Sequence, residues 1–448
     1  MPLERKLFGT DGVRGEAGTV LTAELATALG RAAVGSLGAE RPQVLIVRDT
    51  RESGPMLEAA LAAGIAAAGG DALLGGVMPT PAAAILVKRL GLDLAAVVSA
   101  SHNPYRDNGI KFFSGAGTKL DDGTEGRIEA LLDERRGGAG RIAEGGAAAP
   151  ALGHVRELNG GIGDYLRALE SAFPLDLSGV KVALDCANGA THRAAPAIFE
   201  RLGAEIEAVA VEPDGRNIND GCGSTHLDNL TAHVAVSGAA IGFAFDGDGD
   251  RVLAVDSSGR AHDGDELIAL IARGKAARGE LAGGVAVTVM SNYGFHSAME
   301  RAGIEVAVTQ VGDRYVLDEL RRRGWALGGE QSGHIIDTGF VATGDGIAAA
   351  LMAIHELGGR DLAAAEAMEK LPQTLVNVEV ADRKALDGAT AVWEAVEREA
   401  AGLEGRGRVL LRPSGTEPLI RVMAEAPTAE EADAVCERLA GVVRQELS

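Results

Sequence analysis

Residues 43–100, "QVLIVRDTRESGPMLEAALAAGIAAAGGDALLGGVMPTPAAAILVKRLGLDLAAVVSA", decide the predicted fold, because short apolar runs alternate there with helical patterns. Strands separated by helices of about 10 to 15 residues are typical of βαβ units and a mainly parallel sheet. The predicted strands are residues 43–49, 71–77 and 94–100, and the predicted helices are residues 54–68 and 81–90. This stretch therefore predicts one α/β unit near the N-terminus.

The same alternation returns twice further along the chain. The apolar run "KVALDCANG" at 181–189 precedes a helix predicted at 191–202. The run "GVAVTVMSN" at 284–292 precedes a helix predicted at 295–302, and a second apolar run follows each helix. The simplest interpretation of this repeated alternation is that the chain contains three related α/β units in a row.

After Leu371 the pattern changes to "TLVNVEV", a helix predicted at 385–400, two apolar runs around "RPSGTEP" and a terminal amphipathic helix. The predicted fold class is therefore α/β, with three similar mixed-sheet α/β domains and a smaller C-terminal α+β domain. The Gly- and Ala-rich stretch at 135–154 lacks periodicity and predicts a linker or a long exposed loop. The predicted domains are residues 1–153, 154–254, 255–370 and 371–448.

Composition and charge narrow the class of protein. The 448 residues exceed what one compact core holds, which favours three or four domains. A formal net charge of -21 argues against a nucleic-acid partner, because that binding depends on clustered Lys and Arg. The three cysteines form no CxxC or disulfide-like framework. Neither a signal-peptide pattern nor an apolar run of about 18 residues occurs, so we expect a cytoplasmic protein without a membrane partner.

The segment "AFDGDGDRVLAV" places Asp246, Asp248 and Asp250 between two apolar runs. On a straight strand alternate side chains lie roughly 6 to 7 Å apart. Oxygens around Mg²⁺ lie about 3 Å apart, so the chain must curl at the intervening glycines. An EF-hand loop would need Gly and Glu where this chain has Arg251 and Ser257. An acidic surface turn is the alternative, but crowded carboxylates repel one another, and we predict a divalent metal site.

The segment "SASHNP" places Ser101 and His102 just after a predicted strand end, where ligands bind in open α/β sheets. A hydrolase pair is disfavoured, because neighbouring residues on an extended chain point to opposite sides and no G-x-S-x-G elbow is present. An Asn-Pro turn whose side chains only bond the local backbone is the alternative. If the metal site exists, a phosphorylated Ser101 would supply oxygens that three aspartates leave open.

Two further motifs predict polar binding loops. "LLRPSGTEPLIRV" carries Arg412 and Arg421 around a Gly-containing turn with two hydroxyls, a combination that cradles phosphate; an ordinary hairpin turn is the alternative. "LGGEQSGH" joins Glu330, Ser332 and His334 on a glycine-rich loop. These side chains can hydrogen-bond sugar hydroxyls, with a flexible loop as the alternative.

Two basic residues complete the set. Arg14, in "FGTDGVRG", is a candidate phosphate contact. Lys111 lies on the strand predicted after an Asp-Asn-Gly turn and could return toward Ser101. Each of these motifs alone is weak evidence for a binding site. Together they are stronger evidence, because they occur in one chain.

In this order, "FGTDGVRG", "SASHNPYRDNGIKFF", "DGDGDR", "GGEQSGH" and "RPSGTEPLIRV" resemble the motifs of the α-D-phosphohexomutase superfamily, most closely those of its bacterial phosphoglucosamine mutase branch. The resemblance covers nearly the whole chain. It implies three α/β domains and a C-terminal α+β domain around a central cleft. In chain order these domains would carry a phosphoserine loop, a metal-binding loop, a sugar-binding loop and a phosphate-binding loop.

The resemblance also implies a role for each motif residue. The implied catalytic residues are Ser101, His102, Lys111 and Arg14. The implied ligands of one Mg²⁺ per chain are Asp246, Asp248, Asp250 and phosphorylated Ser101. The implied substrate-binding residues are Arg251, Glu330, Ser332, His334, Arg412, Ser414, Gly415, Thr416 and Arg421.

The activity implied by the resemblance interconverts glucosamine 6-phosphate and glucosamine 1-phosphate through a bisphosphorylated sugar. It would supply amino-sugar nucleotide and cell-wall precursor synthesis, with a sugar bisphosphate as activator and a homodimer as the usual assembly. A phosphomannomutase or phosphoglucomutase is the alternative within the superfamily. Outside it, a non-catalytic phosphosugar sensor and a phosphatase with an Asp nucleophile stay open.

Overall fold

The computed structural model describes residues 7–9, 11–136, 151–414 and 418–447. The chain divides into two compact units, the first made of Met1–Val289 with Glu305–Ala365, the second of Met290–Ile304 with Glu366–Ser448. Most of the predicted linker lies outside the described residues, as do Gly415 and Thr416. Within the described ranges, we find no helix with the length and apolar character needed to span a membrane.

The first sheet of the first unit has six strands. They are β1 (Val13–Glu16), β2 (Gln43–Arg48), β3 (Asp71–Val77), β4 (Leu94–Val98), β5 (Asp107–Ser114) and β6 (Val155–Glu157). The helices among them are α1 (Ala23–Leu37), α2 (Gly54–Ala67), α3 (Thr80–Arg89) and α4 (Asp122–Arg136). The strand order is β1-β5-β4-β2-β3-β6, in which β5 is antiparallel to both of its neighbours and the other pairs are parallel.

The second sheet has the order β11-β10-β9-β7-β8. Its strands are β7 (Lys181–Asp185), β8 (Glu205–Val209), β9 (Ile241–Phe245), β10 (Val252–Asp256) and β11 (Ala261–His262). The helices that precede and separate them are α5 (Gly161–Ala172), α6 (Ala194–Arg201) and α7 (Asp228–Ser237). β7 pairs in parallel with β8 and β9, whereas β10 runs antiparallel to β9.

The third sheet has the order β13-β12-β14-β15. Its strands are β12 (Val285–Thr288), β13 (Val306–Thr309), β14 (Leu327–Gly329) and β15 (Ile335–Asp337). The helices of this part of the first unit are α8 (Gly264–Ala277), α10 (Asp313–Arg323), α11 (Gly346–Leu357) and the 3-10 helix Leu362–Ala364. β12 is parallel to β13 and β14, and β15 is antiparallel to β14.

The second unit has a single antiparallel sheet of order β16-β18-β17 among its described residues. The strands are β16 (Gln373–Glu379), β17 (Arg408–Pro413) and β18 (Leu419–Glu425). The helices are α9 (Tyr293–Arg301), the 3-10 helix Arg383–Gly388, α12 (Thr390–Gly402) and α13 (Ala429–Leu447). The predicted fold class, three mixed α/β sheets and a smaller α+β part, is confirmed.

The three mixed sheets repeat one arrangement of four strands. Three parallel strands are followed by one antiparallel strand in β3-β2-β4-β5, in β8-β7-β9-β10 and in β13-β12-β14-β15. In each sheet a hairpin joins the last two strands, and the three hairpin loops are residues 99–106, 246–251 and 330–334. These loops carry "SASHNPYR", "DGDGDR" and "EQSGH". Three of the sequence motifs therefore occupy the same position in three copies of one topology.

Burial explains why these sequences form central strands. All five residues of β4 and all five of β9 are buried, as expected for apolar strands covered on both faces. α8 begins with a capping box, in which Asp263 accepts backbone N–H groups and Glu266 reaches back to the Asp263 N–H. Local sequence and tertiary burial thus favour the same elements.

Two local predictions are wrong. The Asp-Asn-Gly sequence at 107–109 is not a turn but the start of β5. A Cβ on Gly109 would lie 2.5 Å from the Ser99 carbonyl oxygen. Glycine at this position therefore allows β5 to approach the backbone of Ser99 closely. The helix predicted at 385–400 starts only at Thr390, because the backbone of Ala389 (φ -81°, ψ 74°) interrupts it after a 3-10 turn.

Candidate active site

The three hairpin loops of the first unit meet at one cavity of about 460 Å³. Loops at the carboxyl ends of parallel strands are where open α/β sheets bind ligands. Seven residues predicted from the sequence line this cavity: Arg14, Ser101, His102, Asp250, Arg251, Glu330 and His334. The tertiary structure thus brings together four separate motifs.

Ser101 directs its hydroxyl at the acidic loop. The Ser101 Oγ donates to Oδ2 of Asp246 over 2.5 Å, and Nδ1 of His102 lies 3.3 Å from the same Oγ. The backbone of Ser101 has φ 53°, a left-handed conformation that is uncommon for residues other than glycine. Such strain persists only where the surrounding structure over-determines it, and it is typical of functional sites.

Two side chains, each from a loop beside a different sheet, bind the Ser101 carbonyl. Nη2 of Arg51 and Nδ2 of Asn219 each donate to it over 2.9 Å. Arg51 is fully buried, and its Nε lies 2.8 Å from Oδ2 of Asp49. Its guanidinium also donates to three further carbonyls in residues 103–107. This arrangement accounts for the strained backbone of the serine.

The acidic loop brings three carboxylates to one point. One oxygen from each of Asp246, Asp248 and Asp250 lies within 4.8 Å of the others, and all three side chains are buried. Oδ1 of Asp248 and Oδ1 of Asp250 accept no hydrogen bond from any residue that the structure describes. Buried carboxylate oxygens without donors are costly. A divalent cation, which takes hard oxygen ligands, therefore fits this donor set.

The two glycines between the carboxylates allow the acidic loop to curl tightly and to approach the serine loop. Gly249 has φ 72°, a conformation that favours glycine. A Cβ on Gly247 would lie 2.5 Å from the carbonyl oxygen of Ser101. Glycine at this position therefore lets the acidic loop approach the loop that carries the serine.

Charge is distributed unevenly over the acidic loop. Burial, together with the charges of Asp250 and Asp248, raises the pKa of Asp246 well above its ordinary value. Burial also opposes ionisation of Asp250, but the charges of Lys111, His334 and Arg251 together outweigh burial and lower the pKa of Asp250. A bound cation would relieve the repulsion that raises the pKa of Asp246.

Lys111 projects from β5 onto the acidic loop. Its Nζ lies 2.7 Å from Oδ2 of Asp248 and 3.5 Å from Oδ2 of Asp250. Burial opposes its charge, but the charges of Asp11, Asp248 and Asp250 together outweigh burial and raise the pKa of Lys111. Lys111 is therefore an ammonium beside the serine loop, a donor suited to phosphate oxygens.

His334 contacts the acidic loop as well as the cavity. The backbone N–H of Gly344 donates to its Nε2 over 3.0 Å, which places the ring proton on Nδ1. That Nδ1 lies 3.6 Å from Oδ1 of Asp250, and Nε2 lies 3.5 Å from Oδ2 of Asp313. His334 thus links the sugar-loop motif to the carboxylates.

Ion pairs join the "FGTDGVRG" segment to the third sheet. Lys119 forms ion pairs with Asp11 and with Asp313, the latter at 2.5 Å. Arg14 also pairs with Asp11, whose Oδ2 lies 3.7 Å from Nζ of Lys111. Acidic and basic side chains therefore alternate along one side of the cavity.

Of the remaining predicted residues of the first unit, Arg251 and Glu330 line the cavity and Ser332 does not. The backbone N–H of Arg251 donates to Oδ1 of Asp246 over 3.2 Å, and the Arg251 side chain lines the cavity. Oε1 of Glu330 accepts the N–H of Gly312 over 3.0 Å. Ser332 is exposed on the same hairpin loop.

In the second unit, two arginines of the predicted phosphate loop face each other. Arg412 on β17 is the direct partner of Arg421 on β18. Burial and the nearby Arg421 lower the pKa of Arg412. Ser414 is buried, and Arg383 donates to its carbonyl. Guanidiniums are well suited to binding phosphate, so these two arginines are candidate phosphate contacts.

Several residues at this site were missed by sequence reasoning. Asp49 and Arg51 directly follow β2, and Thr80 follows β3, so they lie at the same sheet edge as Ser101. The rule that carboxyl ends of parallel strands gather at one edge could have identified them. Asn219 lies in a segment with no motif, and no local signal indicated it.

Comparison with known proteins shows the same architecture. A phosphoglucosamine mutase from Heliobacterium modesticaldum is 50% identical over 457 residues, covering 98% of this chain and 99% of the relative. A phosphoglucomutase/phosphomannomutase family protein from Burkholderia thailandensis has a TM-score of 0.81 at 24% identity, covering 98% of this chain and 97% of that one. An N-acetylphosphoglucosamine mutase from Aspergillus fumigatus, solved with GlcNAc-6P and magnesium, has a TM-score of 0.66 at 21% identity, covering 100% and 97%. The two structures share the fold of this chain.

Family models account for most of the chain. The phosphoglucomutase/phosphomannomutase models match as follows: alpha/beta/alpha domain I at residues 5–137, domain II at 163–259, domain III at 263–375 and the C-terminal domain at 375–442. The four models match the chain in the same order in which the three mixed sheets and the smaller antiparallel sheet occur. With all four domain models matched in order, the chain belongs to the phosphoglucomutase/phosphomannomutase family.

Proposed function

We propose that the chain interconverts glucosamine 6-phosphate and glucosamine 1-phosphate through phosphorylated Ser101 and a bisphosphorylated sugar. The activity would supply amino-sugar nucleotide and cell-wall precursor synthesis. The amino-sugar substrate is favoured because the Heliobacterium modesticaldum relative, 50% identical to the chain, is named a phosphoglucosamine mutase.

One observation carries the proposal. The Ser101 hydroxyl lies 2.5 Å from Asp246, whose loop also offers two buried carboxylate oxygens without donors among the described residues. A phosphate esterified to that hydroxyl would lie against the carboxylates. Mg²⁺ sites combine a few carboxylates with phosphate oxygens, so the proposed ligands are Asp246, Asp248, Asp250 and phosphorylated Ser101.

Each half of the reaction moves one phosphoryl group. In the first half the bond between Ser101 Oγ and phosphorus breaks while a sugar hydroxyl oxygen bonds to the phosphorus. His102 and Lys111 lie beside Ser101 and the acidic loop, where they can hold or move the hydroxyl proton and bind phosphate oxygens. When bound, Mg²⁺ supplies positive charge that stabilises the phosphoryl group in transit. The second half returns the other phosphate to Ser101 after the intermediate has turned around.

The proposed substrate-binding residues follow from the family resemblance. In the first unit the proposed contacts are Arg251, Glu330, Ser332 and His334, whereas Arg14 is proposed as a catalytic residue. In the second unit they are Arg412, Ser414, Gly415, Thr416 and Arg421, which would hold the phosphate that is not being transferred. The facing positions of Arg412 and Arg421 on β17 and β18 support this assignment, since two guanidiniums side by side can bind one phosphate. One Mg²⁺ per chain, a sugar bisphosphate activator and a homodimer are proposed from the family resemblance, and a cytoplasmic location is proposed as well.

A substrate panel tests the proposed reaction. We expect turnover of glucosamine 6-phosphate to exceed that of mannose and glucose phosphates, and to be lost when Mg²⁺ is removed by a chelator. A strong preference for a neutral sugar would replace the proposal with a phosphomannomutase or phosphoglucomutase. Turnover that is unchanged by the chelator would contradict the assigned metal.

Ser101→Ala separates the mutase from a phosphatase. The variant should lose the added phosphate in an intact-mass measurement, with kcat reduced by a factor on the order of 10³ or more. A phosphatase with an Asp nucleophile would keep its activity in Ser101→Ala and release inorganic phosphate. The control is Ser36→Ala on α1, because the Ser36 hydroxyl donates to the carbonyl oxygen of Ala33, away from the serine loop, and this variant should keep the phosphate on Ser101.

A further inference from the structure

Helix α3 begins directly on the acidic loop. Its first residue, Thr80, is fully buried and donates its backbone N–H to the carbonyl oxygen of Asp248 over 2.8 Å. The Thr80 hydroxyl donates to Oδ2 of the same aspartate over 2.6 Å. One residue of the first sheet region therefore holds both the backbone and the carboxylate of a residue in the second.

The two carboxylate oxygens of Asp248 have different surroundings. Oδ2 accepts from the Thr80 hydroxyl over 2.6 Å and from Nζ of Lys111 over 2.7 Å. Oδ1 is buried and accepts no hydrogen bond from any described residue. Rotation of the carboxylate would break both bonds to Oδ2, so the side chain is held with Oδ1 directed away from these donors.

We propose that Thr80 is a positioning residue of the metal centre, which holds Asp248 so that Oδ1 alone is offered to the cation. This inference rests on the proposed function, because it requires that the carboxylates bind a divalent cation. Groups that hydrogen-bond a metal ligand orient it, and their loss typically lowers metal affinity about 10- to 100-fold. Mg²⁺ demands near-ideal octahedral geometry, whereas Ca²⁺ also accepts carboxylates that bind through both oxygens.

Thr80 can be tested without changing the charge of the site. Thr80→Val removes the hydroxyl and keeps the shape and the backbone N–H, and Lys111 stays beside Oδ2. Thr80→Ser restores a hydroxyl at the same position. Thr343→Val is the matched control, because Thr343 is also buried in the first unit and its hydroxyl has no partner among the described residues.

The experiment is calorimetric titration of the full-length protein with Mg²⁺ and then with Ca²⁺, at matched Ser101 phosphorylation checked by intact mass. We expect Thr80→Val to weaken Mg²⁺ binding about 10- to 100-fold and Ca²⁺ binding less. Thr80→Ser should bind Mg²⁺ within a few-fold of the wild-type protein, and Thr343→Val should match it. Circular dichroism checks the fold, and Thr80→Ala replaces Thr80→Val if the latter does not fold.

Two failures are distinguishable. If the wild-type protein binds no Mg²⁺, or if Asp248→Asn binds it equally well, the proposed metal site itself is wrong. If Asp248→Asn weakens binding but Thr80→Val does not, only the positioning role of Thr80 is overturned. The role is also overturned if Thr80→Ser weakens Mg²⁺ binding as much as Thr80→Val, since the hydroxyl would then not be the cause.

Discussion

Arg51 illustrates how one buried side chain can determine the geometry of a reactive residue. Its guanidinium spans Asp49 on one side and the carbonyls of the serine loop on the other. A guanidinium is suited to this task because its donors form a rigid planar fork. Burial raises the pKa of Asp49 even with Arg51 beside it, so the carboxylate depends on this partner.

Arg51→Ala should lower the free energy of unfolding by about 3 to 5 kcal/mol, because it leaves Asp49 buried without its cation. Arg216→Ala is the control, since Arg216 forms a 2.7 Å ion pair with Glu52 that is exposed on both sides. Exposed pairs contribute little, and we expect no measurable change there. Urea denaturation compares the two variants, and equal effects would contradict the role assigned to Arg51.

At the scale of the element, the start of α8 combines a capping box with a buried histidine. His262 lies with Nε2 2.9 Å from Oδ2 of Asp256 and Nδ1 3.1 Å from Oε1 of Glu266, which also pairs with Arg260. Burial alone would lower the pKa of His262, but the hydrogen bonds to Glu266 and Asp256 outweigh it and raise the pKa. The charged imidazole therefore stabilises the junction between β11 and α8.

His262→Gln should destabilise the protein by about 1 to 3 kcal/mol at about pH 6 and by less at about pH 9. The pKa of His262 is raised in the folded state, so its contribution is present below the unfolded value and is lost as pH rises through the folded value. The lowered pKa values of Asp256 and Glu266 affect stability only at lower pH.

Thermal unfolding at the two pH values provides the measurement. The exposed His355→Gln, near the end of α11, is the control and should show little effect at either pH. A His262→Gln effect that is equal at both pH values would show that the imidazole charge does not stabilise the fold.

At the scale of the molecule, contacts distant in sequence assemble the first unit around its cavity. Lys119, which follows β5, pairs with Asp313 at the start of α10 over 2.5 Å, although the two residues are 194 positions apart. Arg314 pairs with Glu125 of α4 over 3.0 Å. These ion pairs join the first sheet region to the third beside the cavity.

Lys119→Met should lower the free energy of unfolding by about 1 to 3 kcal/mol, because it leaves two partly buried carboxylates, those of Asp11 and Asp313, near each other without their shared cation. The control is Lys181→Met, whose more exposed ion pairs with Glu205 and Glu207 should contribute no measurable stability. Denaturation with urea tests both. Unchanged stability in Lys119→Met would show that the contact does not hold these regions together.

Much of the site could be predicted from local sequence. The spacing of Asp246, Asp248 and Asp250 around glycines indicates a tight oxygen-rich loop, and the structure shows their oxygens within 4.8 Å of one another. The periodicity of residues 43–100 likewise predicts the strands and helices found there. These features can be predicted because each depends on residues that are close together in the sequence. The spacing of those residues determines the local geometry.

The sequence by itself therefore determined the fold class, the order of the motifs and the acidic loop. Only the tertiary structure decided which distant groups meet: Ser101 Oγ on Asp246, 145 positions away, and Thr80 on Asp248, 168 positions away. It also decided that residues 107–109 form a strand, against their turn-like composition. The physical reason is that strand order and sheet packing set long-range contacts, and local periodicity carries no information about either.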